Sequence, residues 1–402
     1  MTEEIAPYSV KLLRFRSGER FPSVVDGRGL LTTQPNIYAV TSLRNRENAA
    51  GTGEKRLRAI TVALNWAALR GIDLQARTES FELLSPFEVE DLRDALRTNL
   101  RAAKGQKGKA TVRSDHFVNR CHAVRDYLVW QAEAALQRIR VGDTRLKEAR
   151  LALDRFVKVM EADLPSGKSG GKDPVAPDAF TRMLAAAAPG SPDNPFQSQH
   201  QHRNYALLLL YHETGMRRGE ALLLKGEDLV LHGLQPSVTV VRRPDDPDDR
   251  RAAEPRVKTL GRLIPITRRL AEALDVWIRQ HRNVPERYPG AKRVPYVFVS
   301  RTGKPLSLRS VNDMYDLLRE KVDGLPSGLT THANRHDANA EFSKKAKVLG
   351  WTDAETELAR NNHFGWVKGS KQGVHYNKQH AREMSEAYVD TLQRKSQGEP
   401  SS

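Results

Sequence analysis

In the stretch EKRLRAITVALNWAALRG, Leu57, Ile60, Leu64 and Ala67 fall on one face of a 3.6-residue period, and Gly71 follows as a stop signal. SPFEVEDLRDALRTNLRAAK repeats the period and opens with Ser85, Pro86 and Glu88, the signature of a capping box with proline in the first turn. DHFVNRCHAVRDYLVWQAEAALQRI predicts a long third helix and RLKEARLALDRFVKVMEADL a fourth. Four amphipathic helices without strands describe a small helical domain over residues 31 to 163. The first 30 residues mix Pro, Gly and charge without a period and read as an arm or short strands.

Residues 164 to 177, LPSGKSGGKDPVAP, break the pattern. Gly and Ser make this stretch a flexible linker, and Pro174 and Pro177 restart ordered chain. A second domain is expected over residues 178 to 392, with a disordered tail at 393 to 402. Its helices are DAFTRMLAAAA, HRNYALLLLYHE and RRLAEALDVWIRQ, while PSVTVVRR and GRLIPIT are β-rich runs able to pair around a long charged loop. YVFVS reads as a short strand, and most of the remainder as helix. The fold class is therefore mainly α with a small β-hairpin or sheet: a helical domain followed by a mixed α/β domain.

Charge changes the picture. The 402 residues carry a formal net charge of +16, with 39% hydrophobic and 28% charged residues. Solubility requires no such excess, and the resulting field attracts polyanions, nucleic acid first among them. Between the second and third helices, KGQKGKATVR offers Lys104, Lys107, Lys109 and Arg113 as candidate phosphate contacts, although a solvated loop has the same look. The single cysteine, Cys121, lies on an apolar helix face, which leaves no internal disulfide and no cysteine-rich metal site. The opening MTEEIAPYSV lacks the form of a secretory signal, and no apolar run approaches the roughly 20 residues that span a bilayer. A cytoplasmic protein without membrane contact is expected.

The apolar run YALLLLYHE meets Gly215 and then two arginines and a glutamate, in ETGMRRGEALLLK. That box resembles the first arginine box of the tyrosine recombinase (phage integrase) family. Four further boxes follow in the family's order: Lys258 in RVKTLGRLIPIT, His332 and Arg335 in THANRHDANAEF, His363 in NNHFGW, and Tyr376 in VHYNKQH. Each box alone is weak in an arginine-rich chain, but five in one order are not.

The resemblance implies a helical core-binding domain ahead of a catalytic domain, and a site-specific recombinase acting on double-stranded DNA for integration, excision or resolution of a mobile element. No cofactor or metal is implied. A tyrosine nucleophile stores the cut phosphodiester as a 3′-phosphotyrosine, so rejoining needs no outside energy. Arg217 and Arg335 would clamp the phosphate oxygens, since guanidinium pairs with phosphate through two hydrogen bonds and stays charged. By the same resemblance Lys258 protonates the leaving 5′ oxygen, His332 accepts the tyrosine proton, and His363 donates to a phosphate oxygen. Arg256 and Arg262 flank Lys258 as reserve phosphate contacts. The tail segment AREMSEAYVDTLQRK predicts a helix bearing Met384, Ala387, Tyr388 and Leu392, which in this family commonly docks on a neighbouring protomer, within a dimer or tetramer on DNA.

Plainer readings of the same residues are available. Arg217 and Glu220 make an exposed i,i+3 pair in one of them, His332 and His336 a helical metal pair in another, and His363 a packed histidine among Phe364 and Trp366. Two departures from the family pattern stand out. Asn361 and Asn362 replace the glycine that usually precedes the third-box histidine, and VKGSKQG lengthens the spacing to Tyr376, which leaves Tyr388 as a rival nucleophile. Related chemistry, in a type IB topoisomerase or a hairpin telomere resolvase, would use the same boxes; a non-catalytic DNA-binding regulator would keep only the fold.

Overall fold

The computed structural model describes residues 8–44, 50–99, 109–140, 142–165, 175–251, 254–255, 257 and 260–366. The chain divides into two compact units, Met1–Gly171 and Lys172–Ser402.

In the opening stretch of the first unit the short-strand alternative is what forms. Strands β1 (Ser9–Arg14) and β2 (Arg20–Val25) pair antiparallel, with Ser9 opposite Val25 and Arg14 opposite Arg20. Two asparagines stitch the hairpin to helices. Asn65 bonds both backbone groups of Tyr8, and Asn36 does the same for Val24. Helix α1 (Thr33–Tyr38) runs into a π turn at Ala39–Arg44, followed by α2 (Ala50–Leu69), α3 (Leu74–Glu79), α4 (Pro86–Arg97), α5 (Ser114–Leu136) and α6 (Thr144–Glu161). Leu57, Ile60, Trp66, Phe117, Val124, Tyr127 and Phe156 close the core of this unit, with Cys121 among them. The capping box forms as read: the Glu88 N–H donates to Ser85 Oγ at 3.3 Å and Ser85 N–H to Glu88 Oε2 at 2.8 Å.

The second unit is built around α8. It comprises α7 (Pro177–Ala187), α8 (Ser198–Thr214), the short α9 (Arg218–Leu222), α10 (Arg268–Val276) continuing into a π turn at Trp277–Arg282, α11 (Leu308–Lys321), α12 (Thr331–Val348) and α13 (Asp353–Phe364). Leu207 to Tyr211 of α8 are wholly buried, which fits a helix apolar on every side. It packs on α7, α10 and α12. Strands β3 (Leu229–Val230), β4 (Ser237–Val240) and β5 (Arg262–Pro265) form one antiparallel sheet in that order, with Val238 opposite Ile264.

The expected strand at YVFVS does not form. Tyr296 and Val299 make isolated bridges only, to Lys225 and Pro305. Tyr296 to Val299 are buried, so the side chains read as strand, but side chains elsewhere take three of the four carbonyls. Arg282 donates to Tyr296 O at 2.8 Å, Trp277 Nε1 to Val297 O at 3.0 Å and Arg203 to Val299 O at 3.1 Å. The backbone bonds the segment does make go singly to different segments, Val297 N–H to Leu224 O and Leu306 N–H to Phe298 O, so no continuous ladder forms. Among the described residues no helix is long and apolar enough to cross a membrane.

Candidate functional site

The site is organised by Gly215. Helix α8 ends there in a left-handed conformation, φ 59° and ψ 20°. A side chain would be strained by that backbone and would also lack room: a Cβ would stand 2.7 Å from Phe364 Cε1 and 2.9 Å from the Ala338 Cβ. Glycine thus lets α12 and α13 close on the corner. The chain then turns through Met216, and Arg217 becomes the N-cap of α9.

Arg335 reaches this corner from α12. Its Nη1 donates to Gly215 O at 2.7 Å and its Nη2 to Phe364 O at 2.9 Å. The guanidinium sits 5.0 Å from the Phe364 ring centroid and 5.6 Å from that of Trp366, and the residue is 2% exposed. Arg335 therefore joins α8 to the end of α13 beneath an aromatic cover. His363, one residue before Phe364, hydrogen-bonds the backbone of Thr214. Burial pushes its pKa down to about 4, and the nearby Arg262 and Arg335 charges push the same way against that hydrogen bond. The ring is neutral at neutral pH.

Arg217 is held by Glu220 one turn later. The Arg217 N–H donates to Glu220 Oε2 at 3.1 Å, and its Nη1 lies 3.4 Å from Oε1. The exposed-pair reading fails here, because Glu220 is buried and its Oε2 also accepts Arg262 Nη2 at 2.9 Å. Arg262 is corrected with it. Read as a reserve phosphate contact, its side chain is only 2% exposed and spends Nε on His363 O at 2.7 Å. Local sequence gave no signal for this, since the partners lie 42 and 101 positions away.

His332 sits one turn before Arg335 at the exposed start of α12. Its Nε2 is 3.0 Å from His336 Nε2, so one ring donates and the other accepts. Among the described residues no group of three or more His, Cys, Asp or Glu is placed to hold a metal ion. Lys258, Arg256, Tyr376 and Tyr388 lie outside the described residues, as does the expected tail helix.

In the first unit, Lys104 and Lys107 are outside the described residues. Lys109 and Arg113 are exposed; Arg113 pairs with Asp115 at 2.7 Å, a solvated contact that leaves it accessible. The feet of this loop are tied together, Asn99 N–H donating to Ala110 O at 2.8 Å and Val112 N–H to Arg97 O at 2.9 Å.

Segments far apart in sequence thus meet at one corner: 214–220, Arg262, Arg335 and 363–366. Residues 176–357 match the family model described as the phage integrase family. None of the curated proteins matches the chain. Similar solved structures include the XerA recombinase, at 16% identity over 86% of this chain and 94% of that one, with a TM-score of 0.36. The Tn1549 transposon integrase in complex with transposon right end DNA is 16% identical over 75% and 85%, with a TM-score of 0.44. A lambda integrase dimer bound to a COC′ core site is 14% identical over 94% and 96%, with a TM-score of 0.36. The family match covers less than half of the 402 residues, and what it shows is that the segment 176–357 is similar to the phage integrase, or tyrosine recombinase, family.

Proposed function

We propose that this protein is a site-specific DNA recombinase that cuts and rejoins strands through a 3′-phosphotyrosine on Tyr376. What supports the reading is the Gly215 corner, where Arg217, Arg335 and His363 are bonded into one network with His332 one turn from Arg335. The Tyr376 oxygen attacks the phosphorus and the P–O5′ bond breaks. His332 takes the phenol proton and Lys258 supplies one to the departing 5′ oxygen. Arg217 and Arg335 answer the charge that builds on the non-bridging oxygens, and neutral His363 donates to one of them. Attack by a 5′ hydroxyl of the partner strand reverses the step and frees the tyrosine. Arg335 is covered by Phe364 and Trp366, so in this reading the phosphate gains it only after that cover shifts on DNA.

The partner is duplex DNA, bound through phosphate contacts that include Lys104, Lys107, Lys109 and Arg113. Recombination takes place in a dimer or tetramer assembled on the site, with the tail helix around Tyr388 as the docking element. Integration, excision or resolution of a mobile element is the process served.

A nicked duplex carrying the native site tests the chemistry. A covalent protein–DNA adduct is expected with the unaltered chain, and none with Tyr376→Phe, whose duplex affinity stays near the starting value. An adduct formed by Tyr376→Phe would remove Tyr376 from the role. Product analysis on supercoiled and linear site-bearing DNA separates strand exchange from relaxation or hairpin closure.

A further inference from the structure

We infer that Arg262 is a positioning residue, fastening the strand that follows Lys258 to both the Arg217 turn and the backbone of His363. The inference rests on the recombinase reading for its purpose, but its contacts stand on their own. Arg262 opens β5, four positions after Lys258, and its guanidinium is a two-sided fork. One side gives Nη2 to the Glu220 carboxylate at 2.9 Å, and that same carboxylate oxygen holds the Arg217 N–H at 3.1 Å. The other side gives Nε to His363 O at 2.7 Å. Next to it the Leu260 N–H donates to Gly365 O at 3.3 Å, so the hairpin strand is seated on the end of α13 twice.

Stability alone does not account for this pair. The Arg262 and Glu220 side chains are 2% and 0% exposed, and a buried ion pair is commonly no better than an apolar pair of similar volume. What an apolar pair lacks is direction. A guanidinium fixes two acceptors at a set angle, so Arg217 and His363 cannot drift independently of each other or of β5, which follows Lys258 in the chain. Lysine keeps the charge but has no fork; it can answer Glu220 or the His363 carbonyl, not both in this geometry. The positive charge of Arg262 beside His363 also favours the neutral ring, which is the form that donates from one nitrogen while the other stays unprotonated.

The test compares the full chain with Arg262→Lys and with the double variant Arg262→Met/Glu220→Gln, which avoids leaving a buried carboxylate unpaired. Two readouts are taken: the rate of adduct formation on the nicked duplex, and the titration midpoint of the His363 ring by NMR in the absence of DNA. Misplacing reacting groups by even an ångström costs on the order of 100-fold, so adduct formation should fall at least about 10-fold in both variants while duplex affinity holds. The His363 midpoint should rise from about 4 toward the ordinary histidine value in the double variant. An unmoved midpoint overturns the link to His363, whatever the activity. A moved midpoint with unaltered adduct formation overturns the positioning role. If the unaltered chain forms no adduct at all, the recombinase reading fails, and the midpoint still decides whether Arg262 governs His363.

Discussion

Replacing Gly215 by alanine probes the corner without touching a titratable group. Two costs can be read from the geometry. The backbone at φ 59° places an L-residue in the left-handed region, worth roughly 1–2 kcal/mol. The added methyl then needs space that is occupied, with Phe364 Cε1 at 2.7 Å and the Ala338 Cβ at 2.9 Å. Both neighbours belong to helices, so relief means shifting α12 or α13, and overpacking of this kind costs about 1–3 kcal/mol. The sum is about 2–5 kcal/mol against a typical domain stability of about 5–15 kcal/mol, so the variant should fold and be plainly weakened.

Urea unfolding of the full chain reads this directly. The two units need not unfold together, so the transition that reports the second unit is the one to follow, through Trp277, which is completely buried there. With a mid-range slope of about 2 kcal/mol per molar urea, the midpoint should drop by about 1–2.5 M. In a double-mutant cycle Ala338→Gly removes one of the two obstructing atoms, so the pair should couple favourably by about 0.5 kcal/mol or more. A Gly215→Ala midpoint equal to that of the unaltered chain would refute the account of the corner, as would a cycle with no coupling.

Asp337 lies on α12 two positions after Arg335, and burial pushes its pKa up to about 6, with Glu341 adding to the effect. The folded state therefore binds the proton more tightly than the unfolded chain, so this group lowers stability as pH rises through about 4 to 6. Asp337→Asn should be more stable at pH 7 by about 1–3 kcal/mol, with the gain vanishing below pH 4, as measured by urea midpoints across pH. Burial also pushes the Cys121 thiol up to about 11, so the native protein should leave a chromogenic disulfide reagent unconsumed until denaturant is added. Prompt reaction in buffer would place Cys121 outside the helical core.

The elements legible in the sequence are those whose information is local. The 3.6-residue period around Leu57 and Ile60, the Ser85–Glu88 box and the all-apolar run of α8 are each complete within a few turns, and all form. The order of boxes pointed to residues that the fold does gather, Arg217, Arg335 and His363 among them. Long-range pairing was not legible. Nothing local in the charged loop DDPDDRR marks Asp246 and Asp249 as buried, as they are, with Lys225 reaching Asp246 at 2.9 Å and Arg251 reaching Asp249 at 2.7 Å. Arg262 was misread for the same reason: in a basic neighbourhood one more arginine looks like surface, and only the fold supplies Glu220 and the His363 carbonyl.

That misreading has a general form in this unit, and it bears on how the charge of +16 should be used. Irregular segments leave backbone carbonyls without ladder partners, and buried guanidiniums take them up. Arg282 serves Tyr296 and Ala291, Arg203 serves Val299, Arg251 serves Leu222 and Leu306, and Arg335 serves Gly215 and Phe364. Each is less than a tenth exposed. A guanidinium suits this work because it donates in several fixed directions at once, which a lysine cannot do. Arg282, Arg203 and Arg251 are part of the scaffold and cannot displace counterions from a phosphate; Arg335 is held in the same way until the proposed shift of its aromatic cover frees it. The salt dependence of DNA binding should therefore follow the exposed cations such as Lys109 and Arg113 rather than the formal total, so its logarithmic slope should be well shallower than the net charge implies.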